Sequence, residues 1–102
     1  MRIVITGCRG QLGSRLQEVL AGEHLLGLDL PEYDITAREQ VRQAIVSFAP
    51  DVVIHTAGYT DVDGCARDPE RALRVNALGT QNVALACQAA GAALLYVSTN
   101  EV

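Results

Sequence analysis

The sequence contains no lysine; its eight basic residues besides two histidines are all arginine. Within these 102 residues, this excludes every mechanism that needs a lysine amine. The arginines are spread along the chain without a run of like charge, and the formal net charge is −4. The sequence therefore predicts no basic surface stripe that could bind nucleic acid phosphates, and we expect no nucleic acid partner.

Long apolar segments and paired cysteines are also missing from the sequence. No stretch reaches the length of a membrane span, and the N-terminus has neither the apolar core nor the cleavage site of a signal peptide. We therefore expect a soluble cytoplasmic protein with no membrane partner. Cys8, Cys65 and Cys87 are odd in number and widely spaced, which suits neither a disulfide framework nor a CxxC metal site.

Short β-branched apolar runs alternate with stretches of helical periodicity. The length and the apolar fraction of 49% indicate one small domain. The predicted strands are residues 2–6, 24–28, 52–56 and 93–98. A helix is predicted after each of the first three strands.

Terminal signals bound the three predicted helices. The first carries Leu12, Leu16, Val19 and Leu20 at helical spacing and has Gly22 as its terminator. The second begins with a capping box and the third with an N-cap before proline. In the second helix, Thr36 and Glu39 form the capping box, the apolar face follows with Val41, Ala44, Ile45 and Phe48, and Pro50 ends the helix. In the third helix, Asp68 is the N-cap before Pro69, and the helix ends at Gly91.

Alternating strands and helices predict an α/β fold, a doubly wound Rossmann-type parallel sheet of about four strands in the order 2-1-3-4. In such sheets the ligand binds beyond the carboxyl ends of the strands. The segments to examine are therefore Gly7 to Gly13, Asp29, Ala57 to Thr60, and Ser98 to Asn100.

The glycine-rich segment after the first strand is spaced G-x-x-G-x-x-G, with Gly7, Gly10 and Gly13. Glycine suits a tight turn, the close approach of a pyrophosphate to the backbone, and the packing of helix on strand. Such spacing is common in ordinary turns, but here it follows a strand and opens a helix. We interpret it as the pyrophosphate site of NAD or NADP.

Asp29 closes the second strand about twenty residues further on, where a carboxylate can accept hydrogen bonds from ribose hydroxyls. The alternative is a turn aspartate before Pro31. Arg9 in the loop can offset a 2′-phosphate, which leaves NADP open beside NAD. Asp34 and Ile35 lie near the adenine in one interpretation, while in the other Asp34 belongs to a turn feeding the next helix.

Three other features are given structural interpretations. The sequence from Asp61 to Gly64 opens like a calcium loop, but Ala72 stands where the bidentate glutamate is required. His55, in a predicted buried strand, is expected to be a hydrogen-bonded core residue rather than a ligand or base. Cys8 lies near a helix N-terminus but has no partner base in the sequence. No metal site is predicted.

The sequence resembles the extended short-chain dehydrogenase/reductases, and within them the dTDP-4-dehydrorhamnose reductases, along the whole chain. The matching motifs are Thr6-Gly7-x-x-Gly10-Gln11-Leu12-Gly13, Leu28-Asp29 with Asp34-Ile35-Thr36, Pro50-Asp51-Val52-Val53-Ile54, Ala57-Gly58-Tyr59-Thr60-x-Val62-Asp63, Asn76-Ala77-x-Gly79-Thr80, and Tyr96-Val97-Ser98-Thr99.

The resemblance implies a role for each matching position. The cofactor-binding set comprises Gly7, Arg9, Gly10, Gln11, Leu12 and Gly13 in the loop, Asp29 at the ribose, Asp34 and Ile35 at the adenine, Ala57, Gly58 and Tyr59 at the middle of the cofactor, and Asn76. Thr99 matches the threonine of the catalytic Thr/Tyr/Lys set, which hydrogen-bonds the carbonyl oxygen of the sugar.

The sequence departs from the family at three places. His55 stands where these reductases usually carry asparagine, and Asn100-Glu101 where they usually carry aspartate and tyrosine, so the sugar is left open. The Tyr-x-x-x-Lys of the family lies downstream of the Ser-Thr strand, and no tyrosine of these 102 residues is followed by lysine four positions on. We expect this polypeptide by itself to bind cofactor without turnover, because the general acid is missing.

The leading hypothesis is therefore that residues 1–102 are the NAD(P)-binding part of an oxidoreductase that reduces a nucleotide-sugar ketone, as in dTDP-rhamnose synthesis. The alternatives are a non-catalytic regulatory subunit that resembles the beta subunit of methionine adenosyltransferase, and a nucleotide-sugar epimerase or dehydratase. The last strand alternates Leu94 and Tyr96 with Leu95 and Val97, apolar on both faces. We expect it to form an exposed edge through which the chain self-associates, or else a chain that is marginally folded.

Overall fold

The computed structural model describes residues 1–8, 10–28, 37–56 and 69–97. They form four strands and three helices, which alternate along the chain. In order these are β1 (Arg2–Thr6), α1 (Gln11–Val19), β2 (His24–Leu28), α2 (Arg38–Phe48), β3 (Val52–His55), α3 (Pro69–Ala90) and β4 (Ala93–Tyr96).

All four strands are parallel and lie in the order β2-β1-β3-β4, which confirms the predicted sheet. β1 is central because its run Ile3-Val4-Ile5 is apolar on both faces and buried. The register pairs Thr6 with Leu28 on one side and with His55 on the other. The carboxyl ends of the strands therefore meet along one edge of the sheet.

Alternate residues of the strands enter two separate apolar cores. Val4 and Val53 face α2 and α3, while Ile3, Ile5 and Ile54 face α1 through Leu16 and Leu20. Each fully buried aliphatic side chain stabilises the fold by about 1.5–3 kcal/mol. The first core is completed by Leu28, Val41, Ile45, Val83, Ala86 and Cys87.

Helix α1 ends earlier than its sequence signals predict. Its C-cap is Leu20, and Gly22 lies beyond it in the turn that leads to β2. Gly22 therefore lies one position beyond the C′ residue, where a terminating glycine belongs. Val19, predicted on the apolar face, is 71% exposed, whereas Leu16 and Leu20 pack against the sheet.

Helix α2 also begins differently. Its N-cap is Ala37, which makes no side-chain cap hydrogen bond, so the predicted Thr36–Glu39 capping box does not start this helix; Thr36 itself lies outside the described residues. Its end agrees with the stop predicted at Pro50, since Ala49 caps it in the left-handed region with φ 53°. α3 begins at Pro69 and is followed by Gly91 with φ 70°, both as predicted.

Strand β4 presents apolar side chains outward, as the sequence indicated. It pairs with β3 along one edge, and no second partner strand occurs among the described residues. Leu94, Leu95 and Tyr96 are all exposed. Of the helices in the described ranges, none is long and apolar enough to cross a membrane.

Candidate functional site

The first glycine loop is a tight turn at the end of the central strand. Gly7 adopts φ 70°, in the left-handed region that favours glycine. Its backbone N–H donates to the carbonyl oxygen of Leu28 at 2.8 Å, and its own carbonyl accepts from the Gly10 N–H at 3.0 Å. The loop is thus tied to the end of β2 on one side and to the start of α1 on the other.

Gly13 allows α1 to lie directly on this turn. It is buried, and a Cβ at this position would overlap the Gly7 carbonyl oxygen and lie 2.9 Å from the Cα of Cys8. These contacts are with backbone atoms, which cannot move aside without breaking the turn. Glycine is therefore required for the close packing of helix on strand that the sequence predicted.

The N-terminus of α1 is left without compensation by side chains of its own. Gly10 is the N-cap, with extended backbone and no side-chain cap hydrogen bond, and the first turn carries no acidic residue. The first N–H groups of a helix have no acceptor within the helix, and the helix dipole places positive charge there. An anionic group such as a phosphate is the complementary ligand.

Cys8 belongs to the structure of the loop. Its carbonyl accepts hydrogen bonds from Ser14 Oγ at 3.2 Å and from Gln17 Nε2 at 2.7 Å. Its side chain lies over Gly27 of β2, where an added Cβ would come within 2.8 Å of both Cβ and Sγ of the cysteine. Gly27 therefore makes room for Cys8, which agrees with the structural interpretation of this thiol.

His55 is a buried core residue, as its structural interpretation predicted. Its Nδ1 lies 2.6 Å from Thr6 Oγ1 and its Nε2 lies 3.1 Å from Thr80 Oγ1 of α3. The ring stacks on Tyr96 with centroids 5.2 Å apart. Burial lowers the pKa of His55 to about 4 because the charged imidazolium is desolvated. The ring is therefore neutral near pH 7.

The ends of the four strands form a row across the sheet. Leu28, Thr6, His55 and Tyr96 are the last residues of their strands and are neighbours in register. Each is followed within three residues by a residue of the predicted site: Asp29, Gly7, Ala57 and Thr99 respectively. The topology thus brings the ends that lead into all four predicted segments to one edge of the sheet.

Many predicted site residues fall outside the described residues, namely Arg9, Asp29, Asp34, Ile35, Ala57, Gly58, Tyr59 and Thr99. Asn76 lies on α3, described by its backbone alone. The structure brings together Gly7, Gly10, Gln11, Leu12 and Gly13 at the start of α1. Within the described ranges, no three histidine, cysteine or acidic side chains are placed to hold a metal ion.

An open cleft of about 560 Å³ lies away from this edge, between the strands and α2. Its lining includes Arg2, Leu26 and Phe48. Arg2 Nε donates to the Phe48 carbonyl at 2.8 Å, and its guanidinium stacks on the Phe48 ring at 4.2 Å. Arg2 thereby caps the end of α2, so we assign no ligand to this cleft and place the candidate site at the glycine loop.

Sequence reasoning missed the residues that tie the loop in place. Thr6 and Thr56 join β1 to β3, since Thr56 Oγ1 donates to the Thr6 carbonyl at 2.5 Å. The side-chain amide of Gln17 donates to the carbonyl of Cys8 in the loop and to that of Gly13 in the first turn of α1. The sequence signal for Thr6 was its place immediately before the first glycine; the contact of Gln17 had no signal.

A parallel sheet in the order 2-1-3-4 with a glycine loop at the first strand end defines a Rossmann-like fold, the class that binds nucleotides at the carboxyl ends of its strands. The family model described as the RmlD substrate binding domain matches residues 1–102. The chain belongs to this family.

Comparison with individual proteins gives the same relationship. The dTDP-4-dehydrorhamnose reductase of Mycolicibacterium smegmatis is 44% identical over 103 residues, which cover 99% of this chain and 31% of that protein. The chain spans about a third of the length of the curated relatives it matches.

Several solved structures match nearly the whole chain. That of dTDP-4-dehydrorhamnose reductase from Bacillus anthracis in complex with NADP has a TM-score of 0.85 and 41% identity, covering 95% of this chain and 36% of its own. That of UDP-glucose 4-epimerase from Thermus thermophilus in complex with NAD has a TM-score of 0.82 and 28% identity, covering 99% of this chain and 42% of its own.

Proposed function

We propose that residues 1–102 are the NAD(P)-binding part of an oxidoreductase that reduces a nucleotide-sugar ketone, of the dTDP-4-dehydrorhamnose reductase type. The observation that carries the proposal is the glycine loop. The left-handed backbone of Gly7 and the absence of a Cβ at Gly13 bring the N-terminus of α1, whose first turn carries no acidic residue, to the end of the central strand. The family membership of the chain supports the same function.

The residues present fit a dinucleotide. A pyrophosphate placed at the start of α1 meets backbone N–H groups and the positive end of the helix dipole, with no side-chain carboxylate in the first turn to repel it. The absence of a Cβ at Gly10 lets the phosphates approach the backbone, and the absence of one at Gly13 lets α1 pack against the turn. The cofactor, when bound, supplies the hydride.

The remaining roles follow the family pattern. Gly7, Arg9, Gly10, Gln11, Leu12 and Gly13 hold the pyrophosphate region, Asp29 accepts hydrogen bonds from the adenosine ribose, and Asp34 with Ile35 borders the adenine. Ala57, Gly58 and Tyr59 contact the middle of the cofactor, and Asn76 is a further cofactor-binding residue. Arg9 favours the 2′-phosphate of NADP, whereas Asp29 favours the ribose hydroxyls of NAD.

Thr99 is proposed to donate a hydrogen bond to the carbonyl oxygen of the sugar. A hydroxyl orients that carbonyl and stabilises charge on its oxygen, but it does not by itself supply the proton that ketone reduction requires. The 102 residues contain no lysine to lower the pKa of a tyrosine. A polypeptide of residues 1–102 is therefore expected to bind cofactor without turning substrate over.

A nucleotide-sugar epimerase is the second candidate. The likeness to the Thermus thermophilus epimerase, at 28% identity over almost the whole chain, favours it, since epimerases of that kind have the same front half. The two candidates share the cofactor loop and differ in the fate of the ketone: a reductase releases an alcohol and oxidised cofactor, whereas an epimerase regenerates its oxidised cofactor.

Calorimetric titration of the purified chain with NADPH and with NADH tests the proposal. We expect saturable binding and a substantial loss of affinity on Asp29→Ala, because the ribose hydroxyls lose an acceptor. Glu18→Ala serves as the matched control, since Glu18 is an exposed carboxylate on α1. A folded sample that shows no saturable binding at millimolar cofactor, with Asp29→Ala indistinguishable from Glu18→Ala, would refute the site.

A further inference from the structure

The row of strand ends beneath the glycine loop is centred on one polar side chain. His55 is fully buried, as is Thr6 beside it. An apolar side chain of similar size fills such a position without cost, whereas a buried polar group must be hydrogen-bonded. Both ring nitrogens of His55 are within hydrogen-bonding distance of threonine hydroxyls, on β1 and on α3. The imidazole therefore bridges the sheet to the helix above it.

The contacts of His55 lead directly to the glycine loop. Thr6, at the Nδ1 end of the ring, is the residue before Gly7, and its carbonyl accepts from both the N–H and the hydroxyl of Thr56. Gly7 in turn is bonded at its N–H to β2 and at its carbonyl to Gly10. A displacement of Thr6 would thus move the carbonyl against which Gly10 and Gly13 are packed.

We propose, resting on the function proposed above, that His55 is a positioning residue for the nucleotide: by joining Thr6 to Thr80, it holds the end of β1 so that the glycine loop fits a pyrophosphate. His55 does not touch the cofactor in this arrangement. It acts through Thr6 and Gly7. Because its other partner, Thr80, lies on α3, the position of α3 also affects the position of the glycine loop.

The geometry also connects the loop to the end of β4. The His55 ring stacks on Tyr96, and the His55 carbonyl accepts from the Val97 N–H at 3.0 Å. Tyr96 lies three residues before Thr99. Binding of a nucleotide at the glycine loop is therefore expected to change the environment of the His55 imidazole, which lies between the end of β1 and the end of β4.

The test measures nucleotide affinity and the imidazole itself. Titrations with NADPH and NADH are compared for the unmodified chain, Thr80→Val and His55→Phe; phenylalanine retains the volume and the stacking but forms no hydrogen bonds. We expect the Kd to rise about threefold for Thr80→Val and about tenfold for His55→Phe, from the loss of one and two hydrogen bonds. His24→Phe is the matched control, since His24 is exposed at the opposite end of β2.

Imidazole nitrogen NMR on the unmodified chain supplies a readout that a purely structural role would not move. The His55 resonances should shift as NADPH saturates the chain, while those of His24 stay in place. Kd values within about twofold of the unmodified chain in both variants, or His55 resonances unmoved at saturation, would overturn the positioning role while leaving the proposed function intact. Absence of any nucleotide binding by the unmodified chain would instead overturn the proposed function, and the positioning role with it.

Discussion

The carbonyl oxygen of Gly7 occupies the space that a side chain at Gly13 would need. This contact sets how closely α1 approaches the end of the central strand, and with it how close an anion can come to the first turn of the helix. We therefore expect fold stability and nucleotide affinity to be coupled at this pair of glycines.

Replacing Gly13 by alanine is expected to damage both properties. The methyl group overlaps backbone atoms, so the helix must shift, at a cost of about 1–3 kcal/mol in the free energy of unfolding. Nucleotide affinity should fall with the displaced N–H groups. Chemical denaturation and cofactor titration measure the two effects. Gly22→Ala is the control, because nothing lies within 4 Å of its added Cβ and its φ is not positive; a Gly13 variant as stable as this control would contradict the packing described.

Substitutions at two exposed helix ends are expected to change the free energy of unfolding in opposite directions. Ala49 and Gly91 both adopt left-handed backbone, with φ 53° and 70°. This conformation disfavours alanine by about 1 kcal/mol. Ala49→Gly should therefore stabilise the chain by up to about 1 kcal/mol and Gly91→Ala should destabilise it by a similar amount. The midpoints of denaturant unfolding, at an unchanged dependence of the free energy of unfolding on denaturant concentration, measure both effects. Stability changes of the same sign in the two variants would refute the left-handed conformation of these two residues.

Acid should weaken the fold through His55. Because burial lowers its pKa from 6.5 to about 4, the unfolded chain binds more protons between those values, and the free energy of unfolding falls as the pH falls through this window. The contribution lost between about pH 7 and about pH 5 is about 2 kcal/mol. His55→Phe should lack this component, which the difference between the two denaturation series isolates; His24→Phe should retain it. If the free energy of unfolding depends on pH in the same way for the unmodified chain and for His55→Phe, the pKa of His55 is not lowered by burial.

The outer edge of β4 should promote self-association of this polypeptide. Leu95 is 53% exposed on a strand that pairs along one edge among the described residues. Exposed apolar edges pair with other chains. Sedimentation over a range of concentrations should show dimers or larger species that Leu95→Lys removes, whereas Val19→Lys, at an exposed position of α1, should not remove them. A monomer at every concentration would contradict this use of the edge.

The sequence predicted the bounds of β1 and β2 correctly but the end of α1 incorrectly, for physical reasons. A run such as Ile3-Val4-Ile5 is apolar on both faces, and such a run is typical of a central strand of a parallel sheet, where both faces are buried. Helix ends depend on marginal local terms, so α1 stopped at Val19 although Gly22 carried the stronger signal.

The candidate site was predictable where it is local in sequence. The spacing of Gly7, Gly10 and Gly13 encodes the turn, and the structure gives that turn its geometry. The bonds from His55 to Thr6 and Thr80 span 49 and 25 residues. No local pattern encodes such contacts, because they arise only once the strands have paired and α3 has packed on the sheet.

The central claim is that nucleotide phosphates bind at the start of α1. Backbone amide NMR during titration with NADPH and NADH tests it most directly. The account predicts saturable shifts that are largest at the amides of Gly10, Gln11, Leu12 and Gly13, with little change around Arg2 and Phe48 in the cleft beside α2. Shifts concentrated in that cleft, with the glycine loop unmoved, would contradict it.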